Sequence, residues 1–226
     1  MKKRCVAALA LAAMLAVQPM TAFAAGSSSS DGGSSSTTTN TSSKNNDSTV
    51  SVSSTGVKTT GATTSASSNG STIGVAVDTV TTTGQPVTVN SKGEAVVGDV
   101  AIAFAKNGSA TAGLPANVVS AIEGINSGRA LSELVQGVDV NGFNALTGTH
   151  AIVTKDAATG AVKDTQTEVS LYVPNLVDGL GNVEVLFYNN VTGQWTLLPA
   201  LKVDPVSKTV AVNIPGSGTL SVVYKK

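Results

Sequence analysis

The chain has 226 residues, of which 41% are hydrophobic, 12% charged and 4% aromatic, with fourteen Lys and Arg against fourteen Asp and Glu. That balance supplies no basic excess to hold nucleic acid or an anionic membrane surface. One cysteine excludes a disulfide framework within the chain.

Residues 1–24 are expected to act as a secretory signal. Lys2, Lys3 and Arg4 form a positive start, "VAALALAAMLAV" is an apolar run too short to span a bilayer, and Ala22-Phe23-Ala24 is a small-x-small cleavage site. The exported chain then begins at Ala25. Cys5 is lost with the signal, which excludes thiol catalysis and zinc–thiolate sites in what remains. Losing three of fourteen basic residues leaves eleven against fourteen acidic ones, a net charge of −3. No later segment is apolar for long enough to form a transmembrane helix, so a secreted or loosely surface-associated protein is expected.

Residues 25–72 are more than half Ser and Thr, with Val50, Val52 and Val57 as the sizeable apolar side chains. Such a segment buries too little apolar surface to offset its ordering entropy, and a disordered linker or tether is expected. Residues 73–226 then form a β-rich domain, either one unit or two sub-domains, 73–147 and 148–226, sharing a core. "TIGVAVDTV", "QPVTVN" and "EAVVGDVAIAFA" alternate at period two and predict three or four strands. In "GLPANVVSAIEGINSG" the period lengthens. Leu114, Val118, Ile122 and Ile125 share a helical face, Pro115 suits the first helical position, and Asn126 to Gly128 suits the stop. A second short helix over Ala130 to Val135 follows, with Gly137 as its cap. "HAIVT", "TEVSLYV", "NVEVLFY", "QWTLL", "TVAVNI" and "TLSVVY" predict six more strands. The fold class is mainly β, an antiparallel sandwich or partly open barrel, with a short helical pair inserted near the middle, α+β overall.

One turn device recurs. "DAATG" at 156–160 and "NNVTG" at 189–193 share the pattern Asp/Asn-x-x-Thr-Gly, and "DPVSK" at 204–208 is a near match. The leading side chain can bond the backbone two residues on, and the last residue takes a left-handed conformation, which closes a hairpin. A calcium loop would need several oxygen ligands at alternating positions, and these turns lack them.

Trp195, the chain's one tryptophan, follows the second of these turns, opposite "VEVLFY". Two readings are open: a wall of the β core, or, with Tyr188, an exposed ligand platform. The core is favoured because large apolar residues in strands are usually buried and few other aromatics could form coplanar exposed rings.

The stretches "VEVLFYNNVTGQWTLLP", "KVDPVSKTVAVNI" and "GSGTLSVVYK" resemble the repeated β modules of secreted and cell-envelope proteins of Gram-positive bacteria. The resemblance covers roughly residues 168–225. It implies an envelope or extracellular β-sandwich and nothing about chemistry.

Catalytic signals are sparse. His150 is the one histidine, and no Gly-x-Ser-x-Gly elbow presents a nucleophile to it. No His or Glu stands at ligand spacing from it for a metal site. Glu94, Glu123, Glu133, Glu168 and Glu184 are candidates for a glycosidase pair, but each has an ordinary solvated position on a helix or strand. "GLGN" and "GSG" do not sit between a strand and a helix, so they read as turns rather than phosphate loops. The expectation is an exported non-enzymatic module for adhesion or structural display, without catalytic, metal or cofactor residues. Its partners would be envelope polysaccharide or another surface protein. A carbohydrate-binding or, less favoured, carbohydrate-cleaving domain using Trp195 and Tyr188 is the alternative, and assembly through an exposed strand edge is a third.

Overall fold

A computed structural model describes residues 50–106 and 111–226. The described chain opens with β1 (Val50–Val52) and β2 (Lys58–Thr60), a single 3-10 turn at Gly61–Thr63, and β3 (Thr64–Ala66). Then come β4 (Thr72–Val75), β5 (Thr79–Val80), β6 (Pro86–Val89), β7 (Ala95–Val97) and β8 (Val100–Phe104). Two helices follow, α1 (Ala116–Asn126) and α2 (Leu131–Leu134). The last part holds β9 (Asn144–Ala145), β10 (His150–Asp156), β11 (Thr167–Tyr172) and β12 (Asn182–Asn189). It ends with β13 (Gln194–Asp204), β14 (Thr209–Ile214) and β15 (Gly218–Lys225).

Every strand pairing is antiparallel. Twelve strands run in the order β3-β4-β11-β14-β13-β12-β15-β10-β8-β7-β6-β5, with β9 added beside β15, and the sheet curls into a half-barrel. Strands β8 and β10 are paired neighbours, and one hydrophobic cluster runs from Ile73 to Val222. The segments 73–147 and 148–226 therefore both contribute to this cluster.

Period-two alternation assigns the two faces. Val183, Val185 and Phe187 of β12 point to the larger cluster with Leu220 and Val222 of β15, Ile152 of β10 and Leu171 of β11. Leu186 and Tyr188 of β12, Trp195 of β13 and Val223 of β15 point the other way. There Val118, Ala121, Ile122 and Ile125 of α1 cover them, with Leu131 and Val135. Strand β15, sandwiched between the two clusters, is buried along six consecutive residues. Its buried Ser221 is satisfied: Ser221 Oγ donates to the Thr147 carbonyl at 2.8 Å. At its start Gly218 passes so close to β12 that a Cβ would stand 2.3 Å from the Tyr188 carbonyl oxygen, a contact no other residue could make without moving a strand.

The helical signals come out nearly as read. Val118, Ile122 and Ile125 are buried and Leu114 packs partly against them. Pro115 caps α1 from just outside rather than opening it, in an extended conformation that presets the entry. At the other end Gly128, at φ 78°, lets Arg129 N–H reach the Gly124 carbonyl at 3.0 Å. For α2 the cap is corrected. Val135 turns the chain out into extended backbone, and Gly137 lies beyond it.

The largest correction concerns the Ser/Thr segment. The expected disorder of residues 25–72 does not hold over 50–72; the rest of that span, with the signal, lies outside the described residues. Strand β2 pairs with β1 and strand β3 with β4. Thr60 and Thr63 are fully buried, and Thr60 N–H donates to Thr63 Oγ1 at 2.7 Å. The segment also ties into distant parts of the domain. Thr60 Oγ1 donates to the Gly93 carbonyl, Gly148 N–H to Ser71 Oγ at 2.7 Å, and Ser65 Oγ shares a hydrogen bond with His150 Nδ1 at 3.0 Å. Apolar content is a poor guide here because threonine is β-branched, suits a pleated strand and can satisfy its own hydroxyl locally. Deleting residues 58–71 is expected to lower the unfolding free energy by about 2 kcal/mol or more, since it strips a sheet edge and several buried hydrogen bonds. A urea midpoint equal to that of the intact chain would show that the strap carries no stability.

Candidate functional site

The hairpin joining β12 and β13 is built by Asn189. Its Oδ1 accepts from Val191 N–H at 2.8 Å and Thr192 N–H at 3.1 Å, while Gly193 N–H closes onto the Asn189 carbonyl at 2.9 Å. Gly193 is left-handed, at φ 68°. The two related turns use the same device. Asp156 Oδ1 accepts from Ala158 and Thr159 N–H, ahead of Gly160 at φ 74°; Asp204 Oδ1 accepts from Val206 and Ser207 N–H, ahead of Lys208 at φ 60°. The Thr159 and Ser207 backbone bonds are the foremost causes holding the Asp156 and Asp204 carboxyls below their usual range. The Asp204 carboxylate thus closes the β13–β14 hairpin, whereas the strand pairing across the Asp156 turn is a single Lys155–Val162 bridge, because β10 and β11 pair with other strands. Among the described residues, no three His, Cys, Asp or Glu side chains gather as a metal site would need.

This turn sets a register that pairs Tyr188 with Trp195 and Leu186 with Leu197. The two rings lie 5.2 Å apart at 57°, a tilted aromatic pair. Tyr188 is 3% exposed and Trp195 8%, both in the cluster beneath the helices. Trp195 is a wall of this smaller core. Both residues line a surface depression of about 480 Å³, together with Asn117 of α1, Gln136 and Gln194. The structure therefore brings together the two aromatics read from sequence and adds three carboxamides that sequence did not single out. No pattern could have found these: Asn and Gln on exposed positions are common, and only the helix-over-hairpin packing makes neighbours of them.

The other candidates are dispersed. His150 is 1% exposed, edge-on to Phe104 at 6.1 Å between centroids, and its Nε2 has no hydrogen-bond partner. Burial pushes its pKa down to about 4, so it is neutral at ordinary pH. Glu94 is buried. Burial raises its pKa, but hydrogen bonds from Lys155 Nζ at 2.7 Å and Asn90 Nδ2 at 2.9 Å outweigh that and leave the carboxyl lowered. Glu168 accepts from the backbone and hydroxyl of Thr82, Glu184 from Asn182 Nδ2 at 2.6 Å, and Glu133 pairs with Arg129 at 3.2 Å. Glu123 lines a separate cleft with His150. These carboxylates lie on different elements and mostly have protein partners of their own.

Compared with models of protein families, with curated proteins and with solved structures, the chain matches none. Among the described residues no helix is long and apolar enough to cross a membrane.

Proposed function

We propose that this chain is an exported, non-enzymatic β module of a bacterial envelope or extracellular surface, acting in adhesion or structural display. The observation that carries this reading is where the molecule places its reactive and aromatic groups. Trp195 and Tyr188 are in the helix-covered core, His150 is buried and neutral, and Glu94 and Lys155 are bound to each other. These side chains are engaged in packing and pairing within the domain. The signal-like start and the resemblance to envelope modules support the location. A carbohydrate-binding role is the second reading, favoured by the uncharged depression beside Trp195.

Incubating the secreted protein with purified envelope polysaccharide and sedimenting the mixture tests the proposal. The chain should begin at Ala25 by mass and co-sediment with the polysaccharide, leaving its size distribution unchanged. New reducing ends would replace the module reading with a hydrolase, and an intact Met1 on the secreted protein would refute export by this route.

A further inference from the structure

We infer that the depression between the first turn of α1 and the β12–β13 hairpin is a binding site for one neutral sugar unit of a glycan. This rests on the adhesion reading and names the ligand class its surface would take. The lining carries the argument. Three other depressions are bordered by charge: Lys58 and Asp204 in one, Lys106 and Glu123 in the second, Glu94 and Lys155 in the third. No charged side chain lines this one. Its exposed polar groups are the carboxamides of Asn117, Gln136 and Gln194.

A carboxamide offers two donors and an acceptor with two lone pairs, the mixed set that a ring of hydroxyls needs. An ionic ligand would give up hydration here and find no counter-charge. The aromatic component is of the right kind but limited in amount. Tyr188 and Trp195 line the depression but are 3% and 8% exposed, so they offer only a small apolar surface for C–H contact. The volume, about 480 Å³, falls within the range of about 300–1,000 Å³ usual for small-molecule sites. Gly193 forms part of the lining, beside Tyr188 Oη. A shallow site with three adaptable polar groups and two nearly buried rings gives weak binding per sugar, with dissociation constants on the order of millimolar. Repetition along a polysaccharide or across a surface would supply the rest.

The test uses the full exported chain. Trp195 emission and the side-chain amide cross-peaks of the chain are followed by fluorescence and NMR during titration with glucose, N-acetylglucosamine and, as the charged control, glucuronate. At least one neutral sugar should move the emission and the cross-peaks of Asn117, Gln136 and Gln194 together, with glucuronate at least tenfold weaker. The double variant Asn117→Ala/Gln136→Ala changes exposed positions only, so its urea midpoint should stay unchanged while the response to the neutral sugar weakens tenfold or more. If no sugar moves those cross-peaks, or if glucuronate binds as well as the neutral sugars, the inference is overturned. A silent titration alongside retained co-sedimentation with polysaccharide would sink this site and leave the adhesion reading standing. Loss of co-sedimentation in the double variant would support both together.

Discussion

Replacing Trp195 with alanine should lower the unfolding free energy by about 3–5 kcal/mol, the range for removing a large ring from a packed interior that collapses only in part. The ring sits against Tyr188 at 5.2 Å and under α1 and α2. Losing it uncovers Tyr188 and the apolar cluster that includes Val118 and Leu134. The turn that aims the ring is expected to matter too, though less. Gly193→Val adds a β-branched side chain at φ 68°, a conformation that costs about 1–3 kcal/mol for such residues. The two changes should not add. Gly193 fixes the register that pairs Tyr188 with Trp195, so once the ring is gone less is left for a distorted turn to spoil. Urea midpoints of both single variants and the double variant measure this directly. A platform tryptophan gives the opposite pattern, with an unmoved midpoint for Trp195→Ala and complete loss of glycan capture.

Acid should remove about 3 kcal/mol through His150 alone. The folded ring has its pKa pushed to about 4 by burial, against 6.5 for a solvated histidine. The unfolded chain therefore takes up the proton first as pH falls. Stability conferred by the neutral buried ring is present above about pH 6.5, declines between about 6.5 and about 4, and is flat below that. Ser65, Phe104, Leu220 and Asn126 surround or approach the ring without charge, while Lys106 and Glu123 border the same cleft. Desolvation is the sole cause of the shift. His150→Gln can keep a bond to Ser65 but cannot titrate, so its stability should be level across that window. An equal slope in the variant would show that the acid sensitivity lies elsewhere. The lowered carboxyls of Glu94, Asp156 and Asp204 act in a different window. Their stabilisation is present above the unfolded values near pH 4 and is lost below them, as pH falls through the folded values.

Much of the fold was legible because it is written in local signals. The last six strands come out as read, and the recurring Asp/Asn-led turn closes the β12–β13 and β13–β14 hairpins through side-chain bonds confined to five residues. Val118, Ile122 and Ile125 mark one face of α1 in the same way. What the helix covers is not local. The alternation of β12 shows that Leu186 and Tyr188 share a face, but not that α1 lies on that face while the curled sheet closes over the other. The Ser/Thr strap was missed for a related reason. Its order depends on partners far along the chain, such as Gly148 and His150, and on hydroxyls whose satisfaction no hydropathy count records. The candidate site was half legible. Trp195 and Tyr188 stand out as aromatic neighbours across a turn, whereas Asn117, Gln136 and Gln194 join them only through tertiary packing. Glu94 and Lys155 are similar, a pair made by the adjacency of β7, β8 and β10.

Trp195 is the chain's one tryptophan, so its own fluorescence reports on the central claim that this ring is framework first and ligand contact second. In the folded protein the emission should lie well to the blue of the urea-unfolded chain, and iodide should quench it far less. Emission and iodide quenching the same in the folded and unfolded states would place the ring in water and contradict the account.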